Sequence, residues 1–277
     1  MSEDRRPLLV VPAYDKYATA REDLTNLLDS IVLGKTDQFT SVIVCLDGAH
    51  RTFQHEFSQK YKPIEFLNHT GNPKNFTGNS NTGLRIARSE GLGAFLVNMD
   101  TILPSWGFLK TMMEGDMVGA NTVELKDKPL EEVISLLEKT SGTNPITLTP
   151  VQELPGWKVP GYCMWYSPEV LQEIGLLPEH TLKASMDDDF MTALALLADF
   201  KVTKSSICCY HKGSHINQLE TQSSMTGAYT PQSLGLHKEK FYRYWSLSPA
   251  VPHEKAIEAI LSGYKWTPKL REQVIVT

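Results

Sequence analysis

The sequence predicts an α/β protein, and three stretches carry that expectation. Leu8-Leu9-Val10-Val11 is an unbroken apolar run followed by a helical pattern, the signature of a βα unit. Ser41-Val42-Ile43-Val44-Cys45-Leu46 repeats the run and closes on Asp47-Gly48. Phe95-Leu96-Val97-Asn98-Met99-Asp100-Thr101 does so again, its apolar part ending in an amide, a carboxylate and a hydroxyl. Runs without a polar break suit strands buried on both faces of a parallel sheet. Open sheets of this kind bind ligands beyond the carboxyl ends of their strands. Asp100 is therefore the first candidate ligand for a hard divalent cation, which binds through oxygen and is often shared with a substrate's phosphates. The competing reading is that Asp100-Thr101 only caps the turn towards Pro104.

Composition narrows the class. The 277 residues carry a formal net charge of -5 with Lys and Arg scattered, which argues against a nucleic-acid partner. No stretch of about 18 apolar residues occurs, and the charged N-terminus is not followed by a signal-length apolar run. The four cysteines form neither a disulfide framework nor a zinc spacing, so a reducing, cytoplasmic location and a soluble protein are expected.

Taken in order, the first strand is expected to stop at Pro12, leaving Ala13-Tyr14-Asp15 as a loop. A helix then runs from about Arg21 on Leu24, Leu27, Leu28 and Ile31 until Gly34. Asp47, at the end of the second strand, falls near the Pro12 to Asp15 loop on the same sheet edge. That pairing suits a nucleoside, although a plain Asp-Gly turn would look the same. Ile64 to Leu67 reads as a third strand, and a long Asn/Gly-rich loop leads to Asn81-Thr82-Gly83. A helix is expected from Leu84, which would put Asn81 and Gly83 at its N-terminus as an anion site.

Pro104 to Met113 reads as a helix, Val118 to Asn121 as a short strand, and Leu130 to Leu137 as an amphipathic helix with a solvated face. Trp157 to Tyr166 is a strand crowded with aromatics, and Trp157 or Trp165 could stack on a sugar acceptor, with Gly161 between them. Ser167-Pro168-Glu169 opens a capped helix that Gly175 ends. Asp187-Asp188-Asp189 then precede an apolar helix; one N-cap needs one of them, and crowded carboxylates raise one another's proton affinity, as a general base at neutral pH requires. Lys201-Val202-Thr203 and Ser206 to Tyr210 read as strand and end in His211, either a metal ligand or a bland surface residue. From Ile216 the chain changes character, and Phe241, Tyr242, Tyr244 and Trp245 could cover the first domain, bind an acceptor or form a homo-oligomer interface.

Together these pieces resemble the family 2 glycosyltransferases over about residues 7–215. Val10-Val11-Pro12-Ala13-Tyr14 looks like that family's first strand and nucleotide loop, and Val44-Cys45-Leu46-Asp47-Gly48-Ala49 is similar to its strand ending in Asp-Asp-Gly-Ser, with Leu46 and Ala49 departing from it. Asn81-Thr82-Gly83 resembles its Asn-x-Gly, and Asn98-Met99-Asp100 falls where its Asp-x-Asp metal motif belongs, with asparagine for the first aspartate. Met186-Asp187-Asp188-Asp189-Phe190 is similar to its Glu-Asp-x-Asp. On that register Met186 replaces the glutamate, Asp187 is the base and Asp189 the second acid, while a one-residue shift makes Asp188 the base.

The resemblance implies a GT-A type, Rossmann-like mixed sheet flanked by helices in residues 1–215, with a mainly helical appendage in 216–277. It also implies an inverting enzyme that moves a sugar from a UDP- or GDP-linked donor to a saccharide or other hydroxyl acceptor. Mn2+ or Mg2+ would sit on Asp100 and His211, with Pro12, Ala13, Tyr14, Asp15, Asp47, Asn98 and Met99 around the donor. Two rivals remain on the same residues: a sugar nucleotidyltransferase, whose Gly-rich signature Ala13-Tyr14-Asp15-Lys16 lacks, and a degenerate binding module, suggested by Asn98 and Met186.

Overall fold

The structure is a computed structural model and describes residues 6–15, 19–47, 49–68, 76–123, 128–178, 182, 186–212 and 231–275. β1 (Leu8–Ala13) lies between β2 (Ser41–Leu46) and β4 (Ala94–Val97), both parallel to it, and β3 (Glu65–Asn68) extends the parallel set beyond β2. The direction then reverses. β8 (Cys163–Tyr166) is antiparallel to both β4 and β6 (Met117–Val123), while β9 (Val202–His211) runs parallel to β6. Short β5 (Thr101–Ile102) and β7 (Leu148–Pro150) pair antiparallel with β9. The outcome is one mixed sheet in the order β3-β2-β1-β4-β8-β6-β9-β5, with β7 off that path.

Alternation along the strands divides the core in two. Leu9, Val11, Val42 and Val44 face α1 (Ala20–Leu33) and α2 (Arg51–Lys60), which contribute Leu24, Leu28, Phe53 and Phe57. Leu8, Val10, Ile43 and Leu96 face the other way, against α3 (Phe76–Glu90), α6 (Pro168–Ile174) and α7 (Asp187–Leu197). α4 (Trp106–Leu109) continues as a 3-10 turn to Glu114, and α5 (Leu130–Gly142) sets Val133 and Leu137 on Ile102 and Cys208. The C-terminal helices α8 (Pro231–Tyr244), α9 (Ala256–Gly263) and α10 (Pro268–Ile275) join the second core, placing Phe241, Trp245, Ile260 and Leu270 with Phe190 of α7. Phe190 meets Tyr244 edge-on, ring centroids 4.9 Å apart.

Several elements differ from expectation for identifiable reasons. β1 does not stop at Pro12. Leu8 donates its N–H to Gly93 on the β4 side, and the Ala13 carbonyl accepts from Asp47 on the β2 side. Alternation therefore turns the Pro12 nitrogen towards β4, whose pairing with β1 has ended at Val10–Leu96, so the missing N–H breaks no ladder bond. Of the aromatic stretch only Cys163 to Tyr166 is strand, because Pro155, Gly156, Pro160 and Gly161 break the run before it. β9 is one strand, with an irregularity in its pairing between Gly119 and Asn121 of β6. α2 and α10 carried no periodic signal strong enough to read.

The largest correction is α3. It begins at Phe76, so Asn81, Thr82 and Gly83 lie in its second turn and not at an N-terminal anion site. Gly78, Asn79, Asn81 and Gly83 are poor helix formers, and tertiary bonds offset that deficit. Asn81 clamps the backbone of Leu177, donating Nδ2–H to its carbonyl at 2.8 Å and accepting its N–H at 2.9 Å. Asn79 donates to the Cys45 carbonyl at 3.0 Å, and Thr77 Oγ1 to the Leu182 carbonyl at 2.8 Å. Gly83 is the close-approach point, since a Cβ there would lie 2.5 Å from Val10 Cγ1. Asn81→Ala is expected to strand the buried Leu177 N–H and carbonyl and lower stability by about 2–4 kcal/mol, read as an earlier urea midpoint; an unchanged midpoint would refute the clamp.

Candidate active site

The sheet directions bring the chemistry to one edge. The parallel register Ala13↔Leu46 sets Tyr14 and Asp15 beside Asp47. Asn98 to Asp100 follow β4 at the same edge, and β8, being antiparallel, begins there, Val97 opposite Cys163. β9 runs the same way as β4 through β6 and β8, so its last residue, His211, arrives there too. This convergence follows from topology.

Where β1 and β2 reach this edge, Asp47 is 1 % exposed and donates its N–H to the Ala13 carbonyl. The Tyr14 N–H approaches Met99 Sδ at 3.3 Å, tying the first loop to the Asn98–Asp100 turn. Asp15 Oδ2 accepts the His50 N–H at 2.5 Å, which joins that loop to the start of α2. Pro12 and Ala13 lie inside the buried strand and present no side chain to a ligand, so any contact from them is by backbone. Gly48 lies outside the described residues.

Asp100 and His211, named separately from sequence, meet: His211 Nε2 is 3.2 Å from Asp100 Oδ1. The pairing Thr101↔His211 between β5 and β9 holds them, as does the Lys212 N–H donating to the Asp100 carbonyl at 3.1 Å. Tyr162 stacks on the His211 ring, centroids 4.7 Å apart, and its carbonyl accepts the Asn98 N–H at 2.9 Å. Asn98 Oδ1 is buried and finds no hydrogen-bond partner among the described residues. No group of three or more His, Cys, Asp or Glu side chains is placed to hold a metal among the described residues. The pair offers one carboxylate and one imidazole, and Asn98, two residues before Asp100, carries the orphaned amide oxygen. Together they fit a hard cation that keeps its own waters and takes further oxygens from phosphate, and not an all-protein cage.

The acidic triplet forms the first turn of α7, which starts three residues before the expected apolar start at Phe190, where an N-terminal dipole favours acids. Met186 before it stands in the left-handed region at φ 66, a costly conformation for this residue type that starts the helix abruptly. Burial pushes Asp187 up to about 8, with Asp188 adding to the rise. Burial and then Asp189 push Asp188 up to about 7, opposed in part by Lys158. Asp189 is raised by burial and pulled back by Lys158. Lys158 Nζ lies 3.2 Å from Asp189 Oδ1, so Asp189 is engaged as an ion-pair partner. Asp187 is 8 % exposed, whereas Asp188 is partly open.

Gly161 joins the two groups. A Cβ there would lie 3.1 Å from Asp188 Cβ and 3.3 Å from its Oδ2, so α7 rests directly on this residue. Its neighbour Tyr162 contacts both His211 and Asn98. The triplet and the Asp100–His211 pair therefore flank a single dipeptide. Trp165, considered for an acceptor, is corrected to a core residue: it is 3 % exposed, packs on Phe95 at 4.9 Å and donates Nε1–H to the Gly115 carbonyl. Trp157 is half-buried at φ 53 and packs against the second core. Sequence reasoning missed Tyr162, Lys158 and His253. Tyr162 lay in the aromatic stretch, but nothing in the spacing of the other two marks them.

The fold these elements define is the GT-A type of the glycosyltransferases. No family model matches the chain, and no curated protein matches it. Solved structures do. The chain is similar to residues 1–349 of TarS from S. aureus in complex with UDP (TM-score 0.58, 16 % identity, 98 % of this chain and 70 % of that one). The same protein in complex with UDP-GlcNAc aligns with TM-score 0.57 at 17 % identity over the same shares, 98 % and 70 %. The mannosyltransferase PcManGT from Pyrobaculum calidifontis, in complex with GDP-Man and Mn2+, aligns with TM-score 0.50 and 13 % identity over 98 % of this chain and 79 % of that one. At such identities the likeness speaks for the fold, and the chemistry must be argued from the residues.

Proposed function

We propose that this protein is an inverting glycosyltransferase that moves a sugar from a nucleotide-diphosphate donor to an acceptor hydroxyl. The observation that supports it most is the placement of the acidic triplet and the Asp100–His211 pair on either side of Gly161–Tyr162. Tyr14, Asp15 and Asp47, brought together by the β1–β2 register, would flank the nucleoside, with the two carboxylates as its acceptors. A divalent cation, Mn2+ or Mg2+, when bound by Asp100 and His211 with Asn98 Oδ1 nearby, would supply positive charge to the donor's diphosphate. In its ionised form, whose share grows as pH rises towards about 8, Asp187 accepts the acceptor hydroxyl's proton; the oxygen forms its bond to the anomeric carbon as the bond to the diphosphate breaks, and the nucleoside diphosphate leaves with that electron pair. Asp189, held by Lys158, orients the turn.

A second assignment within this reading is favoured by one observation. Asp188 is the less buried residue of the two and rests on Gly161, so it is the alternative base. Asn98 in the first metal position favours the degenerate-module reading. Donor hydrolysis separates the two, since sugar release requires a working site. Among the described residues no helix is long and apolar enough to cross a membrane, and a cytoplasmic setting belongs to the proposal.

Calorimetric titration of UDP and GDP, each with Mn2+ and with chelator, tests the donor class. Micromolar, metal-dependent binding of one nucleotide is expected. Binding of neither would overturn the assignment of this edge to a nucleotide-sugar donor.

A further inference from the structure

The C-terminal part of the chain reaches the acidic triplet through one lysine. Lys158 Nζ lies 3.2 Å from Asp189 Oδ1 and 3.3 Å from its Oδ2, bracketing the carboxylate. The same ammonium contacts His253 Nε2, whose ring lies 3.7 Å from Asp189 Oδ2. His253 opens a 3-10 turn, His253–Lys255, between α8 and α9. Gly156, in the left-handed region at φ 70, lies against Glu254 of that turn; a Cβ there would sit 3.5 Å from Glu254 Cα. Two elements far apart in sequence thus close over the carboxylate end of α7. We propose that Lys158, held between Asp189 and His253, is a positioning residue that sets the charge of the acidic triplet, and that the His253 turn is thereby part of the acid–base machinery.

The electrostatics agree with the geometry. An ammonium beside one carboxylate of a crowded set keeps that one ionised and leaves the proton to the others. Asp189 and Asp188 are both pulled down by Lys158 against the effect of burial. His253 is held neutral by burial first and then by Lys158 and Lys238, which leaves Nε2 an acceptor for the ammonium and puts the ring proton on Nδ1. Also facing the cluster are Glu254, which raises His253, Tyr242, which feels Asp189 and Glu254, and the buried Tyr166 of β8, which Asp187 and Asp188 push up.

This inference rests on the triplet's role as the acid–base site, yet its test does not need turnover. The side-chain carboxyl 13C shifts of Asp187, Asp188 and Asp189 are followed against pH in the wild type, Lys158→Gln, Lys158→Arg and His253→Ala. Lys158→Gln is expected to move the Asp188 and Asp189 titrations up by about one to three units. Lys158→Arg should restore them, and His253→Ala should move them in the same direction by less. The acidic limb of the kcat/KM profile should shift with them, which a merely structural role would not produce. Unchanged titrations in a folded Lys158→Gln overturn the proposal. A His253→Ala titration identical to wild type overturns the part given to the C-terminal turn, and this variant still reports if Lys158→Gln does not fold. If the wild type binds no nucleotide, the glycosyltransferase reading fails while the titration result stands.

Discussion

Asp187→Asn is expected to abolish sugar transfer while leaving nucleotide affinity unchanged. A positioned general base contributes between about 100- and 10,000-fold, and the amide keeps the shape of the carboxylate without its basicity. The residue sits on α7, a different element from the β1 and β2 ends that carry Tyr14, Asp15 and Asp47, the residues proposed to meet the nucleotide. Single-turnover transfer with a UDP- or GDP-linked donor, beside calorimetry of the same variant, separates the two effects. Undiminished turnover would remove Asp187 from the chemistry, and the same loss in Asp188→Asn with a working Asp187→Asn would move the base by one residue. The expected direction in stability is opposite. Asp187 is raised from 3.8 to about 8 by burial and by Asp188. Below pH 3.8 both folded and unfolded chains hold its proton; between there and about pH 8 the unfolded chain releases it and the folded chain does not. Its contribution to stability is therefore lost as pH rises through that window. Asp187→Asn should melt higher than wild type at pH 7, with the excess shrinking towards pH 4, a trade of stability for function.

Much of this fold was legible because its strands are short apolar runs with punctuation. β1, β2 and β4 are buried on both faces, so no amphipathic alternation was needed to see them, and each is followed directly by a polar residue, Tyr14, Asp47 or Asn98, at the same edge of the sheet. What could not be read was long-range. The helix of Asn79, Asn81 and Gly83 contradicts its own propensities and exists because Cys45, Leu177 and Leu182 supply partners 34, 96 and 105 positions away. Trp165 and Trp157 looked alike in sequence, and it takes the packing of Phe95 and the close approach of Gly93 to the Trp165 ring to show which one the core had claimed. Asp100 and His211 were each readable as candidates, but their meeting depends on β5 pairing with the end of β9, a two-residue contact. Lys158 and His253 illustrate the limit: 95 positions separate them, and neither belongs to a motif.

Asp100→Asn is expected to remove the dependence of nucleotide affinity on Mn2+. Asp100 is the carboxylate of the pair with His211, and Asn98 beside it brings an oxygen but no charge. Taking away the negative group should lower nucleotide affinity in the presence of Mn2+ by at least about tenfold, or 1.4 kcal/mol, while affinity measured with chelator stays at the wild-type value. His211→Ala should act in the same direction with a smaller effect, because imidazole is the softer donor and a hard cation replaces it with water at little cost. Asn98→Asp makes the converse case. It places a second carboxylate where Asn98 Oδ1 is buried without a partner among the described residues, and in the absence of cation the two acids would repel. Its Mn2+ affinity should exceed that of the wild type, and its stability without cation should fall. If Asp100→Asn binds nucleotide with undiminished metal dependence, the cation lies elsewhere; if Asn98→Asp is silent in both measurements, the orphaned oxygen does not face it.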